Sequence, residues 1–189
     1  MLKEHFFDNN YQYSSKQLKR FLEKNVASVS NDNLCFDIPC GNGRNTFLLA
    51  SYFKKVIGVD ICEKYLEEIE GYKSKYNIFN VSTVVRDLRN ANLAFVYKAN
   101  FVCISHFYEK TFFYQLKNNL KHGAKMYIET PTCRGGNYLD LPDHFELNQF
   151  LNGFKVIFLK TSYCNSGTTD NHRKKGISFT TILEVQHGR

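Results

Sequence analysis

The sequence predicts a doubly wound α/β fold, a mostly parallel sheet covered on both faces by helices, and three observations carry that prediction. From residue 34 onward, short apolar strand-like runs alternate with runs of helical period. A glycine-containing turn, "PCGNG" at 39–43, follows the first of these strands. Near the end the alternation stops, and two long strand-like runs, 154–162 and 177–185, are joined by a polar loop.

Taken in order, Ser14 or Ser15 can cap a helix whose apolar positions Leu18, Phe21, Leu22 and Val26 recur at helical spacing. The turn-forming "SNDN" at 30–33 breaks it. Then come a strand at 34–38 ("LCFDI"), a helix from Asn45 to Phe53, a strand at 56–60 ("VIGVD") and a helix from Glu63 to about Tyr76. Strands at 81–85 and 101–105 follow, then a helix from Glu109 to Lys121 ended by Gly123, and a strand at 124–130. Each crossover returns the chain to start a neighbouring strand in the same direction, so these five strands are expected to run parallel. The runs at 154–162 and 177–185 read as an antiparallel pair, which completes seven strands.

The chain has 189 residues, 43% of them hydrophobic, the right size for one compact domain, with residues 1–30 as an arm and helix packing on it. The formal charge of +7 would suit a nucleic-acid partner, but the basic residues are scattered, and the densest patch is only "HRKK" at 172–175. The charge therefore does not select a function. Six cysteines form no C-x-x-C pair and no metal-ligand spacing with the histidines, so no metal is expected. Cys35 and Cys103 fall in buried strands, and no signal-peptide pattern or membrane-spanning apolar run appears, so reduced thiols and a cytoplasmic protein are expected.

In an open sheet of this kind, ligands bind outside the carboxyl ends of the strands. The stretch "FDIPCGNGRNT" at 36–46 lies there. Gly41 and Gly43 allow a sharp turn and a close approach to a ligand, and the following helix N-terminus offers N–H groups to a carboxylate or phosphate. Dinucleotides and S-adenosylmethionine both fit. The dinucleotide fingerprint needs a third glycine or alanine where this chain has Thr46. What remains is an acidic residue at each of three successive strand ends: Asp37, Asp60 and Asp87. Asp60 is placed to accept from two ribose hydroxyls, and Asp87 from an adenine amino group; the alternative is that each caps a helix.

These residues resemble the class I S-adenosylmethionine-dependent methyltransferases, whose fold is the Rossmann-like seven-stranded sheet. "DIPCGNGRNT" is similar to their first motif, "GVDI" to the second, "RDL" to the third, and "NFVCISHF" to the fourth strand. Within that class, "CGNGRNT" and "ELNQFLNGFKVIFLKTSY" look most like the small tellurite-resistance-type enzymes. Pro39, where glycine is usual, departs from the pattern.

The resemblance implies S-adenosyl-L-methionine as cofactor, its methionine end on Asp37, Gly41, Asn42 and Gly43. It places the ribose on Asp60 and the adenine between Ile61 and the Asp87–Leu88 segment. The methyl then points toward Ser105 and His106. Arg44 either pairs with the cofactor carboxylate or sits on the helix surface. His106 is a candidate base, or else lines the pocket or caps the next helix. His172 and Arg173 resemble an acceptor-facing pair of the tellurite-resistance enzymes, or belong to a solvated loop.

A small-molecule acceptor is expected. Base-amine methyltransferases carry an Asp/Asn-Pro-Pro-aromatic tetrad where this chain reads "SHFY", and the cytosine-type alternative through Cys133 lacks its companion Pro-Cys. An RNA methyltransferase and a non-catalytic cofactor-binding module are the alternatives.

Overall fold

The structure, a computed structural model, describes residues 15–25, 33–89, 92–131, 141–165 and 175–186. Val26, Cys133, His172 and Arg173 lie outside the described residues.

Seven strands form one hydrogen-bonded order, β3-β2-β1-β4-β5-β7-β6. They are β1 (Leu34–Asp37), β2 (Lys55–Asp60), β3 (Val81–Val85), β4 (Phe101–Ser105), β5 (Lys125–Glu129), β6 (Phe154–Asn165) and β7 (Lys175–Val185). The expected parallel pairing holds for β1 with β2, β2 with β3 and β1 with β4. β7 runs antiparallel to both β5 and β6 and lies between them.

The chain divides into two compact units, residues up to 91 with Ala99–Cys103, and Asn92–Lys98 with residues from Ile104 onward. In the first, helix α1 (Lys16–Asn25) buries Leu18, Phe21 and Leu22, and the Phe21 ring stacks on Phe101 at 6.1 Å. Burial of each such side chain is worth about 1.5–3 kcal/mol. Ser15 supplies a capping bond, its Oγ accepting from Leu18 N at 3.4 Å, while the other candidate, Ser14, lies outside the described residues. Helix α2 covers Arg44–Ala50, shorter than the expected Asn45–Phe53. The chain turns there because the Asn80 side chain donates to the carbonyls of Ala50 and Phe53 at 2.8 and 2.9 Å. Helix α3 spans Glu63–Tyr76 as expected and ends on Asn77 in the left-handed conformation.

In the second unit a 3₁₀ helix covers Leu93–Lys98, which the sequence pattern did not reveal. Helix α4 is Lys110–Asn119, with Glu109 as its N-cap instead of its first residue. Helix α5 (His144–Leu151), also unforeseen, opens with a capping box in which Asp143 and Glu146 satisfy each other's backbone N–H groups. The core of this unit is aromatic: Phe113 packs on Phe112, Phe150 and Tyr108 at 5.0–5.7 Å between centroids. The described part of β7 extends past its pairing with β5 and continues against β6 as a two-stranded ribbon from Phe179 to Lys175.

No helix among the described residues is long and apolar enough to cross a membrane.

Candidate functional site

In the first unit the carboxyl ends of β1 and β2 and the segment after β3 lie on neighbouring strands, and they bring the three acidic residues into one row. Asp37 is only 1% exposed. Its Oδ2 accepts a hydrogen bond from Thr46 Oγ1 at 2.6 Å, while Oδ1 is buried without a hydrogen-bond partner. Burial pushes its pKa up to about 7 and the Asp60 charge adds to that; the Thr46 hydroxyl, the Cys103 thiol and the Arg44 charge pull the other way.

Asp60 is also buried, and its carboxylate already holds two backbone groups. Oδ2 accepts from Gly41 N at 2.8 Å and Oδ1 from Cys62 N at 3.0 Å, tying the glycine loop to the turn before α3. A carboxylate oxygen has more than one lone pair, so each keeps acceptor capacity. The loop is further anchored by Cys40 N on Val59 O at 2.9 Å and by Ile38 N on Cys103 O at 2.9 Å. The Ile38–Pro39 peptide is cis. Burial, followed by the charges of Asp37 and Asp60, raises the Cys40 thiol well above its ordinary range, so it stays protonated.

The two loop glycines differ in what surrounds them. Gly41 has φ +52°, and a Cβ there would meet nothing within 4 Å. Gly43 has φ +91°, and a Cβ there would lie 2.7 Å from Ile69 Cγ1 and 2.9 Å from Phe47 Cε2. Gly41 faces open space; Gly43 is needed for its left-handed backbone and for helix packing. Its neighbour Asn42 is exposed, and Arg44 is half-buried at the start of α2.

Asp87, beyond the end of β3, does not stand alone. Arg89 grips it with Nη2 on Oδ2 at 2.9 Å and Nε on Oδ1 at 3.0 Å, and its backbone N–H adds a third bond at 3.0 Å. Leu88 is buried, whereas Ile61 leaves 55% of its surface open beside Asp60.

Sequence reasoning missed two members of this unit's site. Thr46 is the donor that fixes Asp37, and its signal was a hydroxyl at the position where the dinucleotide loop needs glycine. Gly58, on β2, makes room for the loop, since a Cβ there would meet Cys40 Sγ at 3.1 Å. A glycine inside a strand is the available signal for such a close approach.

In the second unit, Ser105 ends β4 and His106 follows it with φ +55°, unusual for a residue with a Cβ. The His106 N–H donates to Glu129 O at 2.6 Å, and its side chain is exposed. It does not cap α4, because the Glu109 carboxylate does so, accepting from Thr111 and Phe112 N–H. Tyr108 is turned inward, its ring 5.1 Å from Phe113 and 6.5 Å from Phe179. Burial, then Glu146, Tyr114, Glu109 and Asp143, push its phenol well above the usual range. Among the described residues no group of three or more His, Cys, Asp or Glu side chains is placed to hold a metal ion.

Comparison with known proteins bears on this arrangement. Residues 36–123 match a family model described as a methyltransferase domain. No curated protein sequence matches. Among solved structures, the chain is similar to TehB from Haemophilus influenzae, with 16% identity, a TM-score of 0.70, and coverage of 98% of this chain and 67% of that one. It is similar to an rRNA methylase from Streptococcus thermophilus at 17% identity and TM-score 0.63, over 93% of this chain and 100% of that one. An S-adenosylmethionine-dependent methyltransferase from Clostridium acetobutylicum gives 12% identity and TM-score 0.66, with 97% of each chain covered. These likenesses show the Rossmann-like methyltransferase fold. The match over residues 36–123, which contain Asp37, Asp60 and Asp87, together with these shared folds, supports an S-adenosylmethionine-dependent methyltransferase.

Proposed function

We propose that the protein transfers the methyl group of S-adenosylmethionine to a small molecule, acting as a single methyltransferase domain in the cytoplasm, with the strand ends of the first unit holding the cofactor. The observation that carries the cofactor assignment is Asp37 Oδ1, a buried acceptor without a donor, which the methionyl ammonium would satisfy. The residues present fit the group: Gly41 opens onto space, Asp60 keeps acceptor capacity for the ribose hydroxyls, and exposed Ile61 offers an apolar wall to the adenine. Asp87 and Leu88 lie on the adenine's other side, with Arg89 holding the Asp87 carboxylate in place. Asn42, Gly43 and Arg44 are proposed for the methionine end, and Ser105 is kept as a proposed cofactor residue on the resemblance alone.

Bound there, the cofactor supplies an electrophilic methyl carbon on a sulfonium sulfur. The chain's own task is position and exclusion of water, with a base only where the acceptor must lose a proton. His106 is the proposed base, held in its left-handed backbone by the carbonyl of Glu129. His172 and Arg173 are proposed to face the acceptor.

Tyr108 supports a small acceptor. In the position where base-amine enzymes stack a flipped base, this tyrosine is packed against Phe113 and Phe179, and carboxylates surround its phenol. The finer kinship with the small tellurite-resistance-type enzymes is part of the same proposal, supported by "CGNGRNT" and the late strand.

Calorimetric titration with S-adenosylmethionine is expected to show binding in the micromolar range; none at millimolar concentration would overturn the cofactor site. Incubation with methyl-labelled cofactor, total RNA and a small-molecule extract separates the acceptors. Label in the extract is expected, label in RNA refutes the small acceptor, and label in neither fits a non-catalytic module.

A further inference from the structure

Glu129, the last residue of β5, carries a carboxylate to which the proposed function gives no role. Its Oε2 accepts from the Tyr127 hydroxyl at 2.7 Å, and Tyr127 is completely buried. The carboxylate is therefore held from behind by a phenol that cannot shift without opening the core. Among the described residues nothing bonds to Oε1, and no cation pairs with the group. Glu129 O, in turn, accepts the His106 backbone N–H at 2.6 Å, which joins the two residues through their main chains at adjoining strand ends. A half-buried carboxylate, fixed on one oxygen and unmet on the other at the ligand-binding edge of an α/β sheet, is preorganised for a donor that the described residues do not supply.

On the basis of the proposed function, we propose that Glu129 determines acceptor specificity: its Oε1 takes a hydrogen bond from the N–H of an amine acceptor, with Tyr127 as the positioning residue. An ionised carboxylate only accepts hydrogen bonds, so it favours N–H donors, most strongly charged ones, and repels oxyanions and phosphates. An amine arrives as its ammonium and gives one proton to the exposed His106 imidazole, which passes it to bulk water. Its freed lone pair then forms the N–C bond to the methyl carbon while the C–S bond breaks and its electron pair goes to sulfur. The product is a secondary ammonium, which keeps an N–H on Glu129.

The test uses the full chain, methyl-labelled S-adenosylmethionine and five probes: n-butylamine, histamine, butanethiol, sodium selenite and total RNA. Label is expected in the two amines. Glu129→Gln keeps a carbonyl for the Tyr127 hydroxyl and removes the charge; it should raise the amine KM about tenfold or more, with cofactor affinity by calorimetry and thermal midpoint unchanged. Tyr127→Phe should raise the same KM a few-fold with kcat nearly constant, a split that a purely structural role would not give.

Label confined to thiol, selenite or RNA overturns the inference. So does an unchanged amine KM in Glu129→Gln, or a loss of cofactor affinity in that variant. A chain that binds cofactor but labels no probe defeats this inference and leaves the cofactor assignment standing, whereas failure to bind cofactor defeats the assignment itself.

Discussion

Thr46 Oγ1 donates to Asp37 Oδ2 at 2.6 Å, and both side chains are buried. One hydroxyl thus supports a carboxylate whose second oxygen is left unmet. Replacing it tests how much the pair contributes. Thr46→Val keeps the shape and removes the donor, so it should destabilise the cofactor-free protein by about 1–3 kcal/mol in urea denaturation. Thr46→Ser, which keeps the hydroxyl, should lose less.

Asp37 predicts the pH dependence. Its folded-state pKa, about 7, lies above the ordinary value of 3.8. Between those values the folded chain keeps a proton that the unfolded chain has lost, so stability falls as pH rises through this window and stays reduced above it. The wild type minus Asp37→Asn difference in unfolding free energy, measured from pH 4 to 8, should fall by a few kcal/mol on that account. A flat difference would mean that Asp37 is not held near neutrality.

The two loop glycines should respond differently to alanine. At Gly43 the added Cβ strikes Ile69 and Phe47 and φ is +91°, so the loss should be about 2 kcal/mol or more. At Gly41 the space is open and only the backbone preference at φ +52° opposes the change, about 1 kcal/mol. Thermal midpoints of the two variants check the order; cofactor titration of Gly41→Ala then shows whether the open side is where ligand approaches.

Asp60→Ala removes the acceptor of both Gly41 N–H and Cys62 N–H, so the loop and the turn before α3 lose their common anchor. Cofactor affinity should fall at least about tenfold, and unchanged affinity would refute the ribose assignment. Hydrogen exchange at Gly41 and Cys62 reports the loss of the anchor separately from binding.

Helix α5 offers a control away from the cofactor loop. Asp143→Ala breaks its capping box and should cost about 1 kcal/mol, read by urea denaturation, with cofactor affinity unchanged.

By itself the sequence determined the seven strands and their alternation with helices α1 to α4, the class of sheet and the acidic strand ends. Those rest on hydrophobic period and turn residues, which act over a few neighbours. Helix α5 was also within its reach, since Asp143 and Glu146 stand at capping-box spacing, but the short span and the preceding loop hid it. Tertiary structure alone decided the partners. Asp37 is held by a residue nine positions on, and Asp60 holds a backbone N–H nineteen positions back. Gly43 serves packing against Ile69 while Gly41 faces open space. β7 enters between β5 and β6, and Tyr127 beneath Glu129 fixes a carboxylate that the pattern passed over. A carboxylate's role depends on which donors surround it and how much water is excluded, and both are set only when distant strands pair.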